Sequence, residues 1–221
     1  MKAFSKVIGI VGGAGPVASS LLYSTLIEIC QKQYGAHDYS DFPEIVLESF
    51  PFTRGNPEKI REEIALCFAK LKSAGASLCC VASHSFHGFL PDTRGLEFIH
   101  LVSESLREAS RLKISKLLIL ASQTTIDLKL YESPNIPCVY PPEEDQNRIQ
   151  SMIREVARGF SSLQQAEELE EMVLRLRPSL AFDGVMIACT ELPLIYRKLP
   201  FDAVPVIDTI EVLARSLLSL C

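Results

Sequence analysis

Short apolar runs alternate with segments of helical periodicity along this chain, and the order restarts about halfway. Residues 44–49 read as a strand, and the runs at residues 7–11 and 77–81 are too short for helices and show little polar alternation. Strands buried on both faces of a parallel sheet read this way. Between them, residues 17–33 and 58–74 place apolar side chains at helical spacing. Pro16 suits a first helical turn, where its missing N–H costs nothing, and Gly75 suits a helix stop. The spacing then predicts a helix start after Pro91 and a short strand at 98–101. The second round offers a helix at 103–112, strands at 116–121, 138–140, 184–188 and 204–207, helical residues 143–177 broken near Gly159, and a closing helix at 209–220. Such β-turn-α alternation predicts an α/β fold of two pseudo-symmetric domains, each a parallel sheet flanked by helices. The expected boundaries are 1–100 plus 208–221 for the first domain and 101–207 for the second.

The 221 residues suffice for one α/β domain or two of about 100 residues, either able to bury a core. Hydrophobic residues make up 48% and charged residues 22%, spread along the chain, which excludes a disordered chain. A net charge of −5 without a basic run argues against nucleic acid or an anionic membrane as partner. An anionic substrate would then need locally placed arginines. Seven cysteines, odd in number and without CxxC or zinc-site spacing, point to a reducing, cytoplasmic setting and to no metal. No segment resembles a signal peptide or approaches the roughly 18 apolar residues of a membrane span.

Two of the predicted strands end in unusual polar residues. Residues 77–81 run into Ala82-Ser83-His84-Ser85-Phe86-His87, and residues 184–187 into Ala188-Cys189-Thr190-Glu191-Leu192-Pro193. Ligand crevices form at such carboxyl ends of parallel strands. One half carries a hydroxyl and the other a thiol. Two thiols could pass a proton across a carbon centre in either direction, whereas serine is a far weaker acid and no ready base. Placed between a strand and a proline-started helix, Cys189 is expected to have a lowered thiol pKa. His84 and His87 are candidates for a missing base, because imidazole titrates near neutrality. Glu191 reads as a charge in a first helical turn rather than a catalytic acid.

Taken together, the Ile8-Gly9-Ile10-Val11-Gly12-Gly13-Ala14-Gly15-Pro16 run, Gly75-Ala76, the Ser83–His87 turn and Cys189-Thr190-Glu191-Leu192 resemble the cofactor-independent aspartate/glutamate racemase family, within the Asp/Glu/hydantoin racemase superfamily. The resemblance spans nearly the whole chain. It implies two flavodoxin-like domains with an active site in the cleft between them, commonly a homodimer, no pyridoxal phosphate and no metal. Its substrate would be a small acidic amino acid. The family's two catalytic cysteines, acting on opposite faces of the substrate Cα, map to Ser83 and Cys189; where family members read Pro-Cys-Asn-Thr, this chain reads Ala82-Ser83-His84-Ser85. Catalytic roles are therefore expected at Cys189, Ser83 and His84, with one-sided racemisation because of Ser83. Substrate contacts are expected from Gly13, Ala14, Arg54, Ser85, Ser122, Thr124, Thr125, Arg148 and Thr190, Arg148 lying in the turn before a helix. Asp208 is expected to be structural.

Two other readings stay open at this stage. Gly13-Ala14-Gly15-Pro16-Val17-Ala18 fits a dinucleotide fingerprint, yet no acidic residue follows at about 20 positions; an anion-holding turn explains it better. A single-cysteine decarboxylase of the same superfamily, or an acidic-amino-acid-binding protein with weak catalysis, would also tolerate Ser83.

Overall fold

In a computed structural model that describes residues 4–221, the chain divides into two compact units, Met1–Glu104 with Ile210–Cys221 and Ser105–Thr209. The first unit runs β1 (Ile8–Gly12), α1 (Pro16–Tyr34), β2 (Ile45–Ser49), α2 (Pro57–Ser73), β3 (Leu78–Val81) and β4 (Glu97–Ile99). Helix α3 (Leu101–Arg111) carries the chain into the second unit. There follow β5 (Leu117–Ala121), α4 (Gln123–Asp127), β6 (Cys138–Val139), α5 (Glu143–Ala157), α6 (Leu163–Leu180), β7 (Gly184–Ala188), α7 (Pro193–Tyr196) and β8 (Val206–Asp208). Helix α8 (Thr209–Leu220) returns to the first unit.

Each unit holds a four-stranded, all-parallel sheet, and the two have the same order: β2-β1-β3-β4 and β6-β5-β7-β8. Repeated topology is the structural form of the repeat seen in the sequence. The central strands β1, β3, β5 and β7 are buried throughout, which is why their sequences are apolar without alternation.

In the first unit, side-chain parity sorts the core into two layers. Ile8, Ile10, Leu78 and Cys80 pack with α1 and α8, through Leu22, Leu26, Leu213 and Leu217. Val11, Cys79 and Val81 pack on the opposite side with α2, through Ile64, Phe68 and Leu71. Cys79 and Cys80 are therefore buried in opposite layers of the strand, short of its end. In the second unit, Leu118, Leu120, Val185 and Ile187 pack against α5 and α6 through Ile149, Met152, Leu169 and Val173.

The β1–α1 turn demands glycine. Gly13 has φ +100°, and a Cβ there would lie 2.2 Å from the Phe50 carbonyl oxygen and 2.5 Å from its nitrogen. Pro16 occupies the first turn of α1 as its missing N–H allows.

The helix expected after Pro91 is absent. The Asp92 carboxylate accepts the Arg94 N–H at 2.8 Å, and Arg94 and Gly95 adopt φ +57° and +79°. Two successive left-handed residues form a turn and cannot begin a right-handed helix. The chain passes directly into β4. Among the described residues, no helix is long and apolar enough to cross a membrane.

Candidate active site in two half-sites

In the second unit, β7 delivers Cys189 immediately beyond its last residue. Alternation along β7 puts the Cys189 side chain in the same layer as Val185 and Ile187, packed with α5 and α6, and leaves it only 6% exposed. Its Sγ donates to Glu191 Oε2 at 3.1 Å, and Thr190 Oγ1 donates to the same oxygen at 3.0 Å. The Glu191 side chain thus folds back over its two predecessors; the short helix α7 begins only at Pro193.

This geometry corrects the expected acidity of the thiol. Burial pushes the Cys189 pKa well above its ordinary value, and the Glu191 carboxylate adds to the rise. Backbone N–H groups of Glu191 and Leu192 act in the opposite direction but lose. The resting thiol is protonated, with its hydrogen directed at a carboxylate oxygen. Glu191 is thus set against the thiol, a contact for which the spacing Cys-x-Glu at a strand exit was the available sequence signal.

The β5–α4 turn lies at the adjoining strand end of the same sheet, since β5 pairs with β7 as Ala121 opposite Ala188. Ser122 caps α4: its Oγ accepts the Thr125 N–H at 3.3 Å and lies 3.0 Å from Thr125 Oγ1. Those two hydroxyls are occupied with one another. Thr124 is exposed, with no side-chain partner among the described residues. The turn is braced from α5, where Gln146 Nε2 donates to Ala121 O at 3.0 Å and Gln150 Oε1 accepts the Gln123 N–H at 2.9 Å.

Arg148 lies inside α5 rather than in the turn before it. Its Nε and Nη2 grip both carboxylate oxygens of Glu168, and Nη1 donates to Glu155 at 3.1 Å. With its fork filled, Arg148 braces α5 against α6, an arrangement in which it offers nothing to a substrate. Asp208, 7% exposed, accepts Arg197 Nε at 2.7 Å.

In the first unit, Ser83 follows the end of β3 by two residues, and a 3-10 turn at Ser85–Phe89 comes next. Ser83 is 9% exposed, and its Oγ lies 3.5 Å from Ser85 Oγ. His84, 3% exposed, has its pKa lowered to about 3 by burial and by the neighbouring His87. Burial thus holds the His84 ring neutral and makes it a weaker base than a free imidazole. His87 makes two bonds, from Nδ1 to the Ser83 carbonyl at 2.7 Å and at Nε2 with the Leu101 N–H at 3.2 Å.

Elsewhere in this unit, the Gly13 N–H donates to Ser19 Oγ at 3.1 Å. The β1–α1 turn therefore has less to offer an anion than its glycines suggested; Ala14 lies beside it with no backbone N–H bond among the described residues. Arg54 is exposed in the loop after β2, with no ion-pair partner among the described residues. The adjacent Thr53 is tied to α2, its N–H and Oγ1 donating to Glu63 at 2.9 and 2.6 Å.

The family model described as Asp/Glu/Hydantoin racemase matches residues 11–217. The broad specificity amino-acid racemase RacX of Bacillus subtilis (strain 168) is 25% identical over 224 residues, covering 96% of this chain and 97% of that protein. Among solved structures, an aspartate racemase homologue from Pyrococcus horikoshii OT3 superposes with a TM-score of 0.83 at 26% identity, covering 98% of this chain and 99% of the other. The glutamate racemase of Francisella tularensis subsp. tularensis SCHU S4, at 15% identity and TM-score 0.70 over 97% and 80% of the two chains, shares the fold. With two equivalent parallel sheets, a thiol and a hydroxyl at matching strand ends and a family match over nearly its whole length, this chain belongs to the Asp/Glu/hydantoin racemase family, whose named racemases are isomerases.

Proposed function

We propose that this protein exchanges and inverts the α-proton of a small acidic amino acid, aspartate or glutamate, without a cofactor, and that Cys189 and Ser83 serve opposite faces of Cα. The observation that carries this reading is the Cys189–Glu191 pair: a buried thiol whose hydrogen already points at a carboxylate 3.1 Å away. In the forward step Glu191 Oε2 accepts the Sγ proton, and the sulfur in turn removes the proton from Cα. Burial opposes the thiolate in the resting protein; a substrate ammonium beside it would favour the charged form.

The Cα–H of an amino-acid zwitterion is a very weak acid, so hydrogen-bond donors and cations must meet the α-carboxylate as charge develops. Thr124 supplies a hydroxyl in the second unit, and Arg54 an exposed guanidinium in the first, suited in shape to a carboxylate. The β1–α1 turn, with Ala14 and Gly15 before the start of α1, adds backbone donors. Ser83, passing a proton from water, returns it on the second face. Because a hydroxyl is a far weaker acid than a thiol, that return is slow, and the enantiomer facing Cys189 exchanges faster than it inverts. A cytoplasmic setting belongs to this reading, supported by seven cysteines that are all free thiols.

The test is incubation with each enantiomer of aspartate and glutamate in D2O, following the α-proton by NMR. At least one enantiomer should exchange, and Cys189→Ala should abolish the exchange. If none of the four exchanges, or the variant matches wild type, the reading is wrong. A protonated thiol, with a hydroxyl rather than a thiol at the equivalent strand end, also suits single-cysteine decarboxylation, in which Cys189 protonates a carbanion left by CO2. Release of CO2 from a malonate-type substrate without α-exchange of any amino acid favours that second reading.

A further inference from the structure

The Ser83 half-site contains a bond pattern that the proposed chemistry does not use directly. His87 is 8% exposed, and both of its ring nitrogens bond to backbone atoms. A carbonyl oxygen only accepts, so Nδ1 must carry the proton toward Ser83 O; a backbone N–H only donates, so Nε2 must be the bare nitrogen facing Leu101. The ring is thus fixed as the neutral Nδ1–H tautomer. Both bonds exist only in that state, because a second proton on Nε2 would meet the Leu101 N–H.

The two bonds join distant parts of the first unit. Ser83 follows β3, and Leu101 opens α3, where the first N–H groups lack partners within the helix. His87 supplies one such partner, at Leu101, and His100 Nδ1 supplies another by accepting the Ser103 N–H at 3.3 Å. Among the described residues, the groups around the His87 ring leave it no charged partner in contact. His100 stands edge-on at 4.6 Å, Phe98 from β4 lies at 6.0 Å, His84 precedes it in the turn, and Glu104 of α3 acts on His100 rather than on His87. Burial, with His100 second, brings the His87 pKa down to about 4, which keeps the ring in the state its bonds require.

We propose that His87 is a positioning residue for Ser83: it ties the Ser83 main chain to the start of α3 and so fixes where the Ser83 hydroxyl is presented, without touching the substrate. The inference rests on the reading that Ser83 returns the proton, and it separates two rates. Removal of the proton by Cys189 does not depend on the clip; inversion does.

The experiment measures α-deuterium exchange and inversion in the full chain for wild type, His87→Phe and His87→Asn. His87→Phe keeps a ring of similar volume and loses both bonds. Asn returns a donor near the Nδ1 position. The expected result is a loss in inversion kcat of about tenfold or more for His87→Phe, since a misplaced group costs one to two orders of magnitude. KM and Cys189-dependent exchange should stay within about twofold, and His87→Asn should recover a large part of the inversion. Inversion at the wild-type rate in His87→Phe, or exchange and inversion falling together, overturns the proposal. Absence of Cys189-dependent exchange in wild type instead removes the reading it rests on, and is seen before any His87 variant is made. Should His87→Phe fail to fold, 15N NMR of the wild-type imidazoles still decides: an Nδ1–H neutral ring for His87 at about pH 7 supports the clip, and an Nε2–H tautomer or a charged ring overturns it.

Discussion

Replacing Glu191 by Gln should move the chemistry of Cys189 in two opposite directions. The carboxamide keeps the volume and one acceptor oxygen for Sγ and Thr190, and removes a negative charge 3.1 Å from the sulfur. At an effective dielectric of about 20, a unit charge at 3.1 Å opposes a thiolate by about 5 kcal/mol, a ceiling of nearly four pKa units. Burial, the larger cause of the raised thiol pKa, stays in place. A fall of at least about one unit, and so about tenfold more thiolate at a given pH, is the conservative outcome. Alkylation by iodoacetamide, followed across pH with peptide-resolved mass spectrometry to separate Cys189 from the other six cysteines, reads that fall as an earlier midpoint.

Proton exchange should go the other way. Without a carboxylate to take the Sγ proton, Cys189-dependent α-exchange should drop about a hundredfold, the usual scale for a lost general base. Because exposing the buried thiol would also speed its alkylation, the melting temperature of Glu191→Gln is measured alongside and should stay within about 2 °C of wild type. An unchanged alkylation midpoint refutes the electrostatic half of the reasoning, and unchanged exchange refutes the assignment of Glu191 as proton acceptor.

Acid should destabilise the protein earlier than its carboxylates require. His84 and His87 have folded pKa values of about 3 and about 4, both lowered by burial, so below their ordinary value the unfolded chain binds protons first. Stability should be level above about pH 6.5 and fall by up to about 1.4 kcal/mol per histidine per pH unit from there toward pH 4; urea unfolding showing no loss between about pH 7.5 and 5 contradicts this. Gly13→Ala forces a Cβ to within 2.2 Å of Phe50 backbone at φ +100° and should cost about 3 kcal/mol or more, lowering the melting temperature by roughly 6–12 °C; an unchanged calorimetric transition shows that the turn can shift. Arg148→Met should cost about 1 kcal/mol, because the pair with Glu168 is partly exposed, and should leave kcat/KM within about twofold. A tenfold rise in KM would mean that Arg148 leaves its glutamates for the substrate.

The parts of this molecule that were legible in the sequence are those decided by residues near one another in the chain. Strand β7 was readable as residues 184–188 because a fully buried parallel strand needs an unbroken apolar run, and Asp183 before it closes the start by accepting the Ser115 and Lys116 N–H groups. Helix α8 was readable from Thr209 onward for similar local reasons. What sequence alone missed depends on groups brought from elsewhere. Arg148 meets Glu168 across 20 residues because α5 and α6 pack together, so a free cation in the sequence becomes a filled one in the fold. His87 meets Leu101 only because β4 carries the chain back alongside β3. Pro-Asp-Thr-Arg-Gly at 91–95 contained both a helix start and a turn, and the choice fell to the turn once Asp92 took the Arg94 N–H.

The thiol at Cys189 shows the same limit in electrostatic form. A strand-to-helix turn with nearby backbone N–H groups argues for a lowered pKa, and those groups do act in that direction. They lose because parity along β7 turns the sulfur into the apolar layer and because Glu191 folds back toward it, neither of which a local motif specifies. The two strand-end turns are therefore provided for unequally. At Cys189 the proton donor has a carboxylate acceptor within hydrogen-bond reach; at Ser83 the oxygen has another hydroxyl at 3.5 Å and two imidazoles held neutral beside it. A hydroxyl without a charged neighbour can relay a proton only by exchanging it with water, so restoring symmetry requires more than the sulfur. Ser83→Cys alone should raise inversion relative to exchange, yet stop short of equal rates, because the new thiol would sit in a turn that contains no counterpart of Glu191. Equal exchange and inversion in Ser83→Cys would show that the sulfur suffices, and that the carboxylate beside Cys189 serves some purpose other than taking its proton.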